Sequence, residues 1–554
     1  MILPSAAAVV PGLLLAFGLI PARTADSTSH GMRHAVTTTA LLALIVAIAC
    51  AIAVLPNGAA GTIDWVAFRI GGEHGPAFGV LIDGLSSLLF LTVSFIGWII
   101  ARFSIRYLDG DPKQGRFMRN LALTLGAVML LVLSRNMLMF TAAWILSSTG
   151  LHLLLTHTSR HRAVAAARKK FVISRFGDLL LIAAMILTVT HYGSFEFAEI
   201  LSAAKSTPDS IPNDPLIAVI SCLLVTGAMT KSAQFPFHSW LPETLEIPTP
   251  VSALMHAGLI NAGGILVIRM SPLIVQSHLA LDCLTVIGTA TALIGSVAMM
   301  TQPTVKKALA YSTVAQMGFM MLQCGLGAFS AALLHILGHS LYKAHAFLSS
   351  GSAIESAASM RTVERPAMTP SAQSALLLAA VAYSASIGLT IASLFHVNLA
   401  VESGAVVLTA VLTMAVAQLN WKAMLSRELR VIVTAAAVSP VVYSLHFLSF
   451  RIIESAVSDA VAHGVNRPYA VEQGLIGVVM LGFLSLLFLQ LMISTGRDSR
   501  LLRALYVHAS HGFYFDIFAH RITAGISRRI FGDRTPDRTH VRPLESGATN
   551  TAGF

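Results

Sequence analysis

Apolar stretches close to 20 residues long recur from one end of this 554-residue chain to the other. About 20 apolar residues in a helix span the hydrocarbon core of a bilayer, and inside lipid only helices and closed barrels satisfy their own backbone. That one pattern removes most water-soluble folds from consideration. Charge agrees with it: 11% of the residues are charged, against about 25% in a soluble domain. The chain is expected to be an all-α, polytopic membrane protein of about fifteen spans. They lie near 3–20, 35–54, 80–101, 118–134, 136–156, 171–191, 215–235, 250–269, 278–300, 305–324, 328–350, 373–395, 401–420, 429–449 and 472–493. The first of these has no basic flank and is interrupted by Pro4 and Pro11, so it reads as a retained span, not a cleaved signal.

Basic residues test the segmentation. With the connections numbered alternately from an outside N-terminus, 28 of the 37 Lys and Arg fall on the inner side and six on the outer. The positive-inside rule then places the N-terminus in the periplasm and the tail in the cytoplasm of an inner-membrane protein. It also accounts for the net charge of +11, so nucleic acid is not expected as a partner. Arg175, Lys231 and Lys343 belong to neither side. Arg175 sits near a span end and can snorkel. Lys231 and Lys343 lie inside apolar runs, where a charge costs at least about 2.5–3.5 kcal/mol, and such residues usually serve ion movement.

Lys231-Ser-Ala-Gln-Phe-Pro236-Phe-His238-Ser-Trp240-Leu-Pro242-Glu243 reads as a helix broken at Pro236 and Pro242, with a lysine just before the break. Broken backbone at membrane depth must line a polar cavity or be buried in protein. A buried lysine there is tunable by desolvation and by a nearby carboxylate, which suits a proton-loading site; a structural lysine capping the broken-helix carbonyls is the competing reading. His335, His339 and Lys343 are spaced by four and share one helical face, as a proton relay requires. A structural polar stripe is the alternative, and zinc binding is a weaker one because no third ligand is evident. His256 is placed to bridge Lys231 and that row, or to be a satisfied core histidine. Asp178, in Arg175-Phe-Gly-Asp178, is either the carboxylate partner of Lys231 or the i, i+3 partner of Arg175.

Other chemistry is not indicated. Cys50, Cys222, Cys283 and Cys324 each sit alone in an apolar run, as packing residues do. No Gly-rich phosphate loop, nucleophile elbow or Cys/His cluster is present, so no cofactor or metal is expected in the chain itself.

Lys231-Ser-Ala-Gln-Phe-Pro…Trp-Leu-Pro, followed by Pro-Thr-Pro-Val-Ser-Ala-Leu-Met-His256, resembles the signature of the proton-translocating antiporter-like subunits of complex I and Mrp antiporters. Lys306-Lys-Ala-Leu-Ala-Tyr311-Ser-Thr313…Gln316-Met-Gly318, Ile82-Asp83-Gly-Leu-Ser, Ser104-Ile-Arg-Tyr107 and the His335/His339/Lys343 row are similar too. The resemblance is dense from about 80 to 350. It implies inverted five-helix repeats at 116–270 and 271–425, between N-terminal spans (1–115) and C-terminal spans (426–495). In the tail (496–554) the stretch Leu501 to Ile530 mixes Leu, Tyr, Phe and Ile with Arg and His, which reads as an amphipathic segment against the membrane surface or a partner. The resemblance also implies proton transfer through Lys231, His256, His335, His339 and Lys343. Departures stand out. Where the family pairs its broken-helix lysine with a Glu, this chain has Trp144-Ile145. Thr304 replaces an Asp, and Ser386 to Ser393 carries no charge where the family has a second broken helix with a lysine.

Those departures, and the tail Leu505-Tyr-Val-His508-Ala-Ser-His-Gly512-Phe-Tyr514-Phe-Asp516, resemble the membrane subunits of DAB inorganic carbon uptake complexes. The implied partner is the large carbonic-anhydrase-like DAB chain, which resembles a zinc β-carbonic anhydrase. Zinc is therefore expected in that partner, and CO2 hydration to bicarbonate would be coupled to a cation gradient through this chain. A component of complex I, a membrane hydrogenase or an Mrp antiporter is the alternative, and a non-conducting anchor is a third. The last dozen residues, from Pro543, are expected to be disordered.

Overall fold

The computed structural model describes residues 2–70, 75–158, 160–206, 214–351, 368–397, 403–462, 465, 467–496 and 499–517, and the residues 519, 521, 523 and 525. The segment from Pro543 lies outside the described residues, as do Arg361 and Arg365 of the inner-side charge count.

The N-terminal part runs α1 (Ile2–Leu19), α2 (Ala22–Ser27), α3 (Ser29–Val54), β1 (Ile63–Arg69), β2 (Ala77–Ile82) and α4 (Gly84–Tyr107). The centre holds α5 (Gln114–Leu133), α6 (Met137–Leu155), α7 (His161–Tyr192), α8 (Phe197–Ser206), α9 (Pro215–Lys231), α10 (Thr249–Ala257), α11 (Ala262–Arg269) and α12 (Ser271–Ile274). Then follow α13 (His278–Met300), α14 (Val305–Gly325), α15 (Phe329–Leu348), α16 (Pro370–Leu394), α17 (Ser403–Leu425), α18 (Leu429–Val457), α19 (Tyr469–Ser494) and α20 (Arg500–Ser510).

Every expected span coincides with a helix, but apolarity and length qualify only twelve of the described helices as membrane-crossing. Three expected spans fall outside that set. Pro215–Lys231 is apolar but short, α14 opens on Lys306 and Lys307, and α15 carries three histidines and Lys343. These are the stretches that carry Lys231, Lys306, Lys307, the histidines and Lys343, and in α14 and α15 the polar residues lower the apolarity below that of the other twelve. The β1–β2 antiparallel hairpin is an element that the all-helical reading did not contain. Arg135 binds both Asp64 of β1 and Glu196, and Glu196 also accepts from the backbone of Ala77 at 2.9 Å, so one guanidinium ties the hairpin to the bundle end.

Helix starts follow local chemistry. Asp83, Asn136, Asp214, Ser277 and Thr369 each accept a backbone N–H as N-caps, satisfying donors that a helix end leaves open. Proline opens α9 and α16, where its missing N–H costs nothing. Tight helix pairs rest on glycine. A methyl group at Gly177 would lie 2.0 Å from Thr230 Oγ1, and one at Gly263 would lie 2.4 Å from Ala228 O, so α7 and α11 both press their backbones onto α9. The window Thr249–Arg269 is 94% buried and Tyr469–Ser494 only 11%. The broken helices are therefore the centre of the bundle and α19 its lipid-facing edge.

Candidate functional site

The α9 helix stops at Lys231. Ser232 closes the last turn, Ala233 takes a positive φ of 48°, and the chain continues as short 3₁₀ turns at Phe237–Trp240 and Thr244–Glu246. Pro236 stands at the start of the first of these turns and Pro242 lies between the two, so both prolines occupy the break. The Lys231 ammonium turns toward α6. It donates to Trp144 O at 2.9 Å, Ser147 Oγ at 3.0 Å and Ser148 Oγ at 2.7 Å. It also sits 4.5 Å from the centre of the Trp144 ring, a cation–π distance. All three donor sites of the ammonium are used. The carboxylate missing at Ile145 is thus replaced by two hydroxyls and a carbonyl of neighbouring α6 residues.

Asp178 pairs with Arg175 at 2.7 Å. The local i, i+3 pair forms, and Asp178 also lies within electrostatic range of Lys231, whose own hydrogen bonds go to neutral oxygens. Two lysines counted as loop charges are in fact buried: Lys169 at 2% exposure and Lys170 at 3%. Lys170 Nζ donates to Ser148 O at 3.0 Å, so Ser148 contacts two lysines, through its carbonyl and its hydroxyl. Lys169 Nζ lies 2.7 Å from Glu243 Oε1, fastening α7 to the segment after the break. The signal that would have revealed them is the apolar run that continues directly from Phe171, which makes this pair the start of a span.

The span holding His256 is itself interrupted. α10 ends at Ala257, a 3₁₀ turn covers Leu259–Asn261, and α11 begins at Ala262. Freed groups find partners across the gap: Ser232 Oγ donates to Ile260 O at 2.6 Å, and Asn261 Nδ2 donates to Ser340 Oγ at 2.8 Å. The residue that closes α9 and one residue of α15 therefore meet at this second break. His256 Nδ1 is 3.0 Å from Thr313 Oγ1, and its ring stacks on Phe347 at 4.3 Å.

On α15 the expected row is assembled. The His335 and His339 rings are 6.0 Å apart, and His339 is within electrostatic range of His335, Lys343 and His256. Lys343 is fully buried and donates to Ser312 Oγ at 2.9 Å and Leu309 O at 3.1 Å. Both His339 nitrogens and His335 Nε2 are buried without a partner among the described residues. A buried polar group left open in this way calls for water or an exchanging proton. Among the described residues, no three His, Cys, Asp or Glu side chains come together as a metal site.

The later segment differs. α16 runs unbroken from Pro370 to Leu394, where the resemblance implies a second broken helix. A neutral network lies beside its middle: Asn420 Nδ2 donates to Ser439 Oγ at 2.8 Å and to Ser384 Oγ at 3.3 Å. Tyr443 Oη donates to Ser384 O at 3.0 Å. An uncharged polar network stands in place of a lysine.

Two family models match the chain. The "NADH:quinone oxidoreductase/Mrp antiporter, TM" model covers residues 134–368, and the "NADH-Ubiquinone oxidoreductase (complex I), chain 5 N-terminus" model covers 68–118. A probable inorganic carbon transporter subunit DabB2 of Halothiobacillus neapolitanus is 39% identical over 456 residues, 80% of each chain. The chain belongs to the DabB branch of the complex I and Mrp antiporter-like family. A second DabB protein of that organism, DabB1, is 42% identical over 278 residues, half of each chain. The fold of this DabB-type chain is also that of a component of the Mrp complex from Dietzia, with a TM-score of 0.66 at 22% identity. That match covers 97% of this chain and 61% of the other.

Proposed function

We propose that this DabB-type chain is the cation-coupling subunit of an inorganic carbon uptake complex, in which a carbonic-anhydrase-like, zinc-bearing partner hydrates CO2 to bicarbonate. The partner sits on the cytoplasmic side of the inner membrane, where the basic connections and the tail emerge, and the N-terminus faces the periplasm. The coupling ion is a proton or sodium. Kinship with proteins named as probable inorganic carbon transporter subunits supports the setting. One observation carries the mechanism: Lys231 is a buried ammonium at a helix break, hydrogen-bonded to exchangeable hydroxyl and carbonyl oxygens, with the Asp178 carboxylate within electrostatic range. Such a group gains and loses a proton with little rearrangement, because its hydrogen-bond partners are neutral oxygens and burial offsets the pull of Asp178. His256, His335, His339 and Lys343 form the continuation toward the second repeat, and the break at Leu259–Asn261 joins the two groups.

The test is Lys231→Ala in the assembled complex. Carbon-dependent growth should be lost while both chains still co-purify, and full growth would remove Lys231 from the mechanism. The unbroken α16 and the neutral network beside it favour a second reading, an anchor that conducts nothing; gradient-dependent ion uptake by vesicles carrying the whole complex excludes it.

A further inference from the structure

Two titratable residues of the break, His238 and Glu243, have no part in the Lys231 cradle, and the tail brings a third to them. After α20 the chain turns through Gly512, Phe513 and Tyr514, with φ of 59°, 54° and 63°, a left-handed path that L residues seldom follow. The turn drives Phe515 edge-on against Phe235, ring centres 4.6 Å apart, and to 5.8 Å from the His238 ring. Asp516 Oδ1 then lies 4.0 Å from Lys169 Nζ, whose other carboxylate neighbour is Glu243 at 2.7 Å. His238 is buried, and its Nδ1 has no partner among the described residues. Lys170, the next residue of α7, touches Ser148, which holds Lys231.

We propose that Asp516, Glu243, Lys169 and His238 form a proton-loading site for Lys231, completed by the docked tail. The proposal rests on the ion-coupling reading and adds the port through which the ion enters. The side chain of Asp516 is 34% exposed and that of Lys169 is 2% exposed, so the cluster grades from water to interior. A proton from water binds the Asp516 carboxylate to give the neutral acid. Its release inward regenerates the carboxylate, and the open His238 nitrogen passes it on as a transient imidazolium, a form that burial and the neighbouring Lys169 disfavour. No bond other than those to hydrogen changes. The groups facing Asp516 are Lys169 of α7, Glu243 beyond the break, and Lys307 and Tyr311 of α14. Burial, with Glu243, lifts the Asp516 carboxyl from 3.8 to about 6 against the opposing pull of Lys169 and Lys307. That places its titration where cytoplasmic protons are exchanged.

The experiment compares Asp516→Asn, Asp516→Glu and Lys231→Ala in the whole complex. Infrared difference spectra are recorded against pH, and proton uptake by vesicles is measured alongside. Asp516→Asn should delete a carboxyl band with a midpoint near 6. It should also slow uptake by about a hundredfold and flatten its pH profile, and Asp516→Glu should restore both. Lys231→Ala should stop uptake yet keep the band. A band that persists in Asp516→Asn, or an unchanged uptake profile, overturns the loading site. The ion-coupling reading then stands or falls on Lys231→Ala alone, and the band is read without any transport. If Asp516→Asn does not assemble, Asp516→Glu carries the test: its band should move with its longer side chain, and an unmoved band overturns the proposal.

Discussion

At the scale of single residues, the Lys231 cradle sets stability against function. Its ammonium uses three neutral acceptors. Removing one of them, as in Ser148→Ala, leaves a buried charge short of a hydrogen bond and should cost about 1–3 kcal/mol. Removing the charge, as in Lys231→Met, takes away a desolvation cost that hydroxyls offset only in part, so stability should be unchanged or higher while uptake is lost. Thermal unfolding of the purified complex and vesicle uptake, measured together, check both: Ser148→Ala lowers the midpoint, and Lys231→Met does not. A clear loss of stability in Lys231→Met would mean that the lysine is chiefly a structural cap. The sequence showed that Lys231 had to be buried and special. It could not show what holds it, because Ser147 and Ser148 are ordinary residues until α6 is brought alongside α9.

At the scale of elements, the tail turn is a docked device with two handles. A methyl at Gly512 meets Tyr311 Oη at 2.4 Å, on a backbone at φ 59°. Gly512→Ala should therefore undock the tail, with about 1–2 kcal/mol from the left-handed backbone alone and more from the clash. Adding Tyr311→Phe removes the clashing oxygen but not the backbone cost, so the double variant should recover part of the docking. Limited proteolysis around residues 500–517 reads the result; equal cleavage of wild type and Gly512→Ala would contradict the docked geometry. The second handle is pH. Because burial raises the Asp516 carboxyl to about 6 from 3.8, its contribution to docking is fully present below 3.8 and lost as pH rises through about 6. Tail cleavage should accelerate between about pH 4 and 6 in the wild type and level off above, and this pH response should vanish in Asp516→Asn. An amphipathic segment was legible in this stretch of sequence, since Leu, Tyr, Phe and Ile are mixed with Arg and His. Its landing place was not, because Phe235 and Phe515 are 280 residues apart.

At the scale of the whole molecule, the two halves are unequal. The first half has a broken helix, buried lysines and an interrupted partner span. The second has an unbroken α16 beside the neutral Ser384–Asn420–Ser439–Tyr443 network. A proton path across about 30 Å of hydrocarbon needs titratable groups or water along its length, and the described residues of this half offer none on α16 itself. Ions should reach the centre from the tail side and leave through the assembled complex. Vesicles holding only this chain should therefore show little proton leak, whereas carbon uptake by the complete complex should collapse with an uncoupler. Rapid gradient-driven conduction by the isolated chain would show that the second half forms a full exit.

Local physics and long-range packing divided the work between them. Helix positions, membrane residence and the His335–His339–Lys343 face follow from hydrophobic runs and a spacing of four, which are properties of neighbouring residues and so are written along the chain. The same local logic missed the break at Leu259–Asn261, because nothing in Gly258 and Asn261 alone forbids a helix there; the gap is stabilised by Ser232 and Ser340 from other segments. It also offered Asp178 two partners without choosing between them. Arg175 pairs with the carboxylate because it lies one turn away on the same helix, Lys231 stays within its electrostatic range, and the lysine's hydrogen bonds go to α6. Lys169 and Lys170 look like loop charges in sequence and become buried because Glu243, Asp516 and Ser148 arrive from three different segments. Which oxygens meet which ammonium is decided only when helices far apart in sequence are packed at contact distance.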